Sequence, residues 1–286
     1  MSHIDQFESV FRSAIREPYQ YQEISYANLL LVTDLPRADI DKFENKIRLF
    51  MQSLYFNDLC KWTVLAKEDF TSTHDLLEIT NKINPDFIVT YRNLHSEAWR
   101  YPYSLGEHLD VLIQKTDTSV LIVPHPSKTY ADDHTLENAD KVIALTDRLS
   151  SDNSLVNTAV RFTNKNGELT LIHIEDAETF ERYIEAISNI QTIDTDEASL
   201  RLKQELLKGP KRYIETVISD LTERQKPISI KSIVGFGHHL QEFKKVLSSD
   251  EIDLLVINAK DSKQMAMHGL AYPLAVELRQ IPILMI

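Results

Sequence analysis

The sequence predicts an α/β protein made of two Rossmann-like, doubly wound parallel sheets, the first reduced by one strand. Three observations predict it. Short unbroken apolar runs, such as those at 29–32 and 142–145, have the composition of strands buried on both faces. Amphipathic helical segments separate such runs, the alternation expected of a parallel sheet with crossover helices. The stretch LLLVTDLPRAD at 29–39 also returns as VIALTDRLSSD at 142–152, 113 positions later.

The elements follow in order. Phe7, Val10, Phe11, Ala14 and Ile15 form the stripe of a short helix ended by Pro18, which must pack on its own sheet or on a partner chain. The first half then predicts a strand at 29–34 and a helix over about 38–55. Strand WTVLAKED, helix STHDLLEITNKI, strand DFIVTYRN, helix LGEHLDVLIQKT and strand SVLIVPH complete it. A polar linker, PSKTYADDHTLEN, separates an N-terminal domain (1–125) from a C-terminal one (139–286). The second half predicts a strand at 142–147, a helix over about 151–164 and, after the Asn166-Gly167 turn, strand ELTLIHIED. A long helical stretch, about 177–225, is expected to break near Gly209-Pro210. Strand ISIKSIVGFG, helix HLQEFKKVLSS, strand IDLLVINA, helix GLAYPLAVELRQ and strand IPILMI close the chain.

Spacing shows that the copies are unequal. Asp34 and Asp147 are 113 residues apart, Asp86 and Asp253 are 167 apart, and Gly106 and Gly269 are 163 apart. The jump from 113 to 167 places one extra strand and the long helical region in the second copy. Of only six glycines, Gly106 and Gly269 each lie 13 residues ahead of a final strand, at Ser119 and Pro282. A glycine at a helix start lets a backbone approach an anion, or simply makes a tight junction.

Composition narrows the function. The formal charge of -12 disfavours a nucleic-acid or anionic-membrane surface. One cysteine, Cys60, excludes an internal disulfide and fits a reducing cytoplasm. The first residues lack an apolar run long enough for a secretory or membrane segment.

Taken together, the Thr33-Asp34 and Thr146-Asp147 strand ends, LTLIHIED, DFIVTYR, IDLLVINA, and the two glycines leading to SVLIVPH and IPILMI resemble a universal stress protein in tandem form. That resemblance implies strand order 3-2-1-4-5 in the second domain, a cytoplasmic stress-response role, and pairing of domains through their last strands. ATP-binding members carry a loop of Gly, two residues, Gly, nine residues, Gly, then Ser or Thr, whose backbone N–H groups wrap the phosphates. Both copies depart from it. The first reads TYRNLHSEAWRYPYSLGE, with Glu107 after Gly106 where the hydroxyl belongs. The second reads NAKDSKQMAMHGL, with Asn258 and Asp261 for small residues and Leu270 after Gly269. Losing two charge-assisted hydrogen bonds would cost roughly 3 to 6 kcal/mol, or about two to four orders of magnitude in affinity.

By the resemblance, Asp147 and Ile174 match positions near the adenine and ribose, with Asp34 the counterpart of Asp147 in the shorter copy. An Asp after a strand also commonly caps the next helix or turn. Lys260 and Lys263 could supply phosphate charge without glycines. His238 and His239 follow a strand at the same edge, where two histidines and a carboxylate could hold zinc or merely start a helix, and no metal site is assigned. His173, inside an apolar strand, reads as a hydrogen-bonded core residue. The loop from Arg92 to Tyr103 concentrates Trp99, Tyr101 and Tyr103 beside Arg92 and Arg100, and reads either as an interface or ring-stacking surface or as a lid folded over the site vacated by the missing strand. No catalytic elbow, phosphate-binding lysine loop or activated cysteine is present, so no enzymatic activity and no cofactor are expected, ATP in the second domain being the alternative. The apolar final strand PILMI needs a partner, either SVLIVPH of the same chain or a second chain in a homodimer.

Overall fold

The computed structural model describes residues 18–53, 60–101, 103–126, 136–146, 149, 152–249, 251–260 and 269–286. The expected N-terminal helix, most of the linker, Asp147, Asp261 and Lys263 lie outside them. Strands β1 (Asn28–Val32), β2 (Lys61–Leu65), β3 (Phe87–Tyr91) and β4 (Ser119–Val123) alternate with helices α1 (Ile40–Ser53), α2 (Thr73–Ile83) and α3 (Glu107–Lys115). The second half holds β5 (Lys141–Thr146), β6 (Glu168–Asp176), β7 (Ser229–Gly237), β8 (Leu254–Ile257) and β9 (Ile283–Met285). Its helices are α4 (Asn153–Phe162), α5 (Ala177–Ser188), α6 (Thr195–Glu223), α7 (His239–Ser249) and α8 (Ala271–Glu277).

The strand order is β2-β1-β3-β4-β9-β8-β5-β6-β7. Its second half is the expected 3-2-1-4-5, and its first half is the same order without the third strand. Where two sheets were expected there is one, because β4 and β9 pair antiparallel, with Leu121 opposite Leu284. The physical cause is the one that made PILMI need a partner: the paired residues, Val120–Ile122 and Ile283–Met285, are all apolar, and each strand covers the other's edge within the chain. Every other pairing is parallel.

The strand path reverses between β1 and β3, and again between β5 and β8. Right-handed crossovers therefore send helices to opposite faces on either side of each reversal, leaving a crevice at the carboxyl ends of these strands. At the opposite end, one constellation recurs. Asp86 Oδ2 accepts the N–H groups of Ala27 and Asn28 at 2.8 and 2.9 Å. Asp253 Oδ2 accepts those of Asp140 and Lys141 at 2.9 and 2.8 Å. Acceptors 167 apart and donors 113 apart repeat the sequence offsets, so the same carboxylate staples the start of the central strand twice.

One expected break moves. Helix α6 runs unbroken for 29 residues through Gly209 and Pro210, and the interruption lies at 189–194 instead. Asp194 starts α6 by accepting the Glu197 N–H at 3.0 Å. Pro210 removes one backbone bond, but the turns after it are anchored by buried Tyr213, Ile214, Val217 and Leu221, and that packing outweighs the loss.

The segment ahead of β1 docks on the second half. Tyr19 donates its hydroxyl to Asn157 Oδ1 at 2.6 Å and its N–H to Thr216 Oγ1 at 3.1 Å, and the Tyr21 N–H reaches Asp220 Oδ2 at 2.9 Å. Among the described residues no helix is long and apolar enough to cross a membrane.

Candidate functional site

At the first crevice, Thr33 and Asp34 leave β1 beside Tyr91, the last residue of β3. The Tyr91 hydroxyl donates to Asp34 Oδ1 and accepts the Asp34 N–H at 3.0 Å, with Thr33 Oγ1 2.7 Å away. Burial, then the adjacent Asp34 carboxylate, push this hydroxyl well above its ordinary pKa, which keeps it a donor. The second Asp34 oxygen accepts the backbone N–H of His95 at 2.7 Å. Asp34 thus grips the loop that follows β3.

The inner limb of that loop turns inward. Arg92, Asn93 and Leu94 are buried, and Asn93 and His95 adopt φ of 59° and 58°. The Asn93 N–H bonds Leu105 O at 2.7 Å, and its amide pairs with Ser104 at 3.2 Å. Gly106 then starts α3 at φ +89°, where a Cβ would lie 2.7 Å from Asn93 Cα. The helix start that would face a phosphate is packed against the loop's own backbone. The outer limb differs: Tyr101 and Tyr103 stack with centroids 5.9 Å apart and are 57% and 79% exposed. The loop packs on the crevice with its inner limb and presents exposed aromatic rings on its outer limb.

The His95 ring packs edge-on against Phe70 at 4.7 Å and lies 5.3 Å from His108. Burial pulls His95 below its ordinary pKa, opposed by the Asp34 carboxylate and assisted by His108 and Lys67. The fold therefore prefers the neutral ring. Its contribution to stability is complete above the ordinary imidazole value near 6.5 and fades as pH falls through the lower folded value. The urea midpoint is expected to drop between about pH 7.5 and about pH 5.5, and to drop less in His95→Asn, which tolerates positive φ. An undiminished slope in that variant would clear His95 of the effect.

At the second crevice, Asn258 leaves β8 and donates its amide to Asp152 Oδ2, while Asp152 Oδ1 caps α4 by accepting the Leu155 N–H at 3.0 Å. Beneath them Thr146, Asn258, Leu270, Ala271 and Leu274 enclose a cavity of about 20 Å³. That holds a water and not a nucleoside. Leu270 precedes α8 without a side-chain cap, and a Cβ on Gly269 would meet nothing within 4 Å. The Ile174 carbonyl accepts a hydrogen bond from His239 Nε2 at 2.7 Å. His239 is thereby a fastening between β6 and α7, its Nδ1 lying 4.0 Å from Asp176. His173 bonds Glu175 at 2.9 Å. Among the described residues no three metal-binding side chains gather.

Two cations join the halves. Arg92 donates Nε to Ala275 O and Nη2 to Leu278 O, both at 2.6 Å, at the end of α8. Lys260 reciprocates, donating to Thr116 O at 2.6 Å and approaching Asp117 at 3.2 Å, at the end of α3. Sequence reasoning missed the partners Tyr91, Asp152 and Thr116. For Asp152 a signal existed, the Asp-Asn-Ser-Leu start of a helix.

No protein-family model matches the sequence, and no curated protein matches it either. Solved structures do. A universal stress protein from Archaeoglobus fulgidus DSM 4304 superposes with a TM-score of 0.51 at 14% identity, over 90% of this chain and 97% of that one. A candidate universal stress protein from Pseudomonas aeruginosa UCBPP-PA14 gives 0.50 at 11% identity, over 92% and 93%. The chain has the universal stress protein fold. In that fold the two crevices described above are the switch points of the sheet, where open α/β sheets bind ligands.

Proposed function

We propose that this chain is a tandem universal stress protein acting in the cytoplasmic stress response without enzymatic activity, its nucleotide sites degenerate and its action exerted through protein contacts. The observation that carries this reading is the first crevice. There Asp34, the counterpart of an adenine- or ribose-side position in the resemblance, is spent on Tyr91 and the His95 N–H, and Gly106 packs on Asn93 instead of facing open space. The second crevice supports it too, since the Ile174 carbonyl is taken by His239 and Lys260 is engaged at Thr116. The exposed Tyr101–Tyr103 pair is the kind of rigid aromatic surface that protein partners use.

Calorimetric titration of the full chain with Mg-ATP tests the reading. We expect no saturable binding below about 1 mM, in line with the loss of two charge-assisted bonds. Saturable binding in the micromolar range would replace this reading with a nucleotide sensor using an atypical second-half pocket, and turnover of the bound ATP would make it an enzyme.

A further inference from the structure

A cavity lies at the end of the sheet opposite the two crevices. It measures about 430 Å³, within the range of small-molecule sites. Three segments form it: the irregular stretch 21–26 ahead of β1, the end of α4 and the residues after it from 160 to 165, and the connection 226–228 before β7. Each is held by hydrogen bonds. The Tyr21 N–H is bonded to Asp220, Arg161 Nε donates to Ile24 O at 3.2 Å, and the Asn166 N–H reaches Pro227 O at 2.5 Å.

Its charge runs against the rest of the chain. The protein has 43 acidic and 31 basic residues, yet Arg161, Lys165 and Lys226 line this cavity with Glu23 as its one acid. Among the described residues neither lysine has a carboxylate partner. Lys226 instead places its ammonium 4.2 Å from the centre of the Tyr21 ring. The Glu23 carboxylate favours the charged form of Arg161, which leaves Lys165 and Lys226 as the two cations of the lining that an incoming anion would pair. Between the charged groups the lining combines Ile24, Val160, Pro227, Ile228 and the two tyrosine rings with the hydroxyl residues Ser25 and Thr163.

We propose that this cavity is a binding site for a small organic anion with a flat apolar body, a ring carrying a carboxylate, sulfonate or phosphate. The ring lies against Tyr21 and Tyr26, and the anionic group faces Lys165 and Lys226, with Arg161 fixing the wall between them. The site is independent of the proposed function, since it shares no residue with either crevice.

The test uses 8-anilinonaphthalene-1-sulfonate as the probe on the full-length folded protein, followed by fluorescence titration and by amide NMR shifts. One saturable site is expected, with shifts concentrated at 21–26, 160–165 and 226–228. The Lys165→Glu/Lys226→Glu variant should bind at least about tenfold more weakly, and so should the same ring system without its sulfonate on the unaltered protein. Equal binding by the charge-reversed variant, equal binding by the neutral ring, or shifts centred on other surfaces would each overturn the proposal. Should the double variant fail to fold by circular dichroism, the neutral ring and the shift map still decide the matter. A third arm, displacement by inorganic phosphate, separates an organic-anion site from a simple phosphate site: displacement as effective as by unlabelled probe would overturn the requirement for a ring.

Discussion

Arg92→Ala is expected to destabilise the protein by roughly 3 to 5 kcal/mol, the range for removing one partner from buried, charge-assisted hydrogen bonds. Arg92 is 4% exposed, and its guanidinium serves two carbonyls at the end of α8 that have no intrahelical donor. It also sets a positive charge at the negative end of that helix dipole. Truncation removes this donor from the Ala275 carbonyl, which is buried, and from the Leu278 carbonyl, which is part-buried. Lysine is no substitute, because a point charge cannot hold two divergent acceptors as a planar fork does. Both tryptophans, Trp62 and Trp99, belong to the first half, so their fluorescence follows that half while circular dichroism follows the whole chain. In the unaltered protein the two urea transitions should coincide, because the sheet is continuous and the core is one cluster. In Arg92→Ala they should separate as well as shift. Lys260→Ala removes the reciprocal bond, but that side chain is partly exposed, and the shift should stay near 1 kcal/mol or below. A midpoint for Arg92→Ala unchanged from the parent would show that the Arg92 bonds do not help to hold the halves together.

How much of this was legible in the sequence depended on how local each determinant is. Buried strands announce themselves by unbroken apolar runs, so β1, β3, β5 and β8 were readable, and the offsets of 113 and 167 located the missing strand without any structure. The Asp86 and Asp253 staples show why those offsets are so well kept: each carboxylate must land on two particular N–H groups, and a shift of one residue would strand it. Pairing of β4 with β9 was legible as one of two alternatives, since an apolar edge demands a partner without saying whether the same chain or a second one supplies it. The break in the helical region was placed at Gly209-Pro210 because those residues weaken helices locally, whereas the outcome was set by the buried face from Tyr213 onward. The loop after β3 was least legible. Its path rests on Asn93 and His95 at positive φ, a conformation uncommon outside glycine, and on an arginine whose acceptors lie 183 and 186 residues away. The three-cation cavity draws on three separated segments, none of which is notable alone.

Gly106→Ala and Gly269→Ala form a matched pair with opposite expectations. By sequence the two positions are equivalent, each a fixed distance ahead of a final strand. By geometry they are not. At Gly106 the backbone has φ +89° and ψ 146°, a region almost closed to residues with a Cβ, and the added atom would fall 2.7 and 2.9 Å from the Asn93 Cα and N. Those are backbone atoms fixed by the Asn93–Leu105 and Asn93–Ser104 bonds, so they cannot swing aside as a side-chain end would. Strain of about 1 to 3 kcal/mol from the dihedrals adds to the clash, and a loss of roughly 2 to 4 kcal/mol is expected. The loop can escape only by lifting off the crevice, which would free Asp34 from the His95 N–H and increase hydrogen exchange at that amide. At Gly269 a methyl group enters open space, and the change should stay within about 0.5 kcal/mol. Urea unfolding of the two variants measures the difference, and exchange at His95 reports its cause. Equal and small effects at both sites would mean that the first-half loop does not press on its helix start, and the case for a filled first crevice would lose its footing.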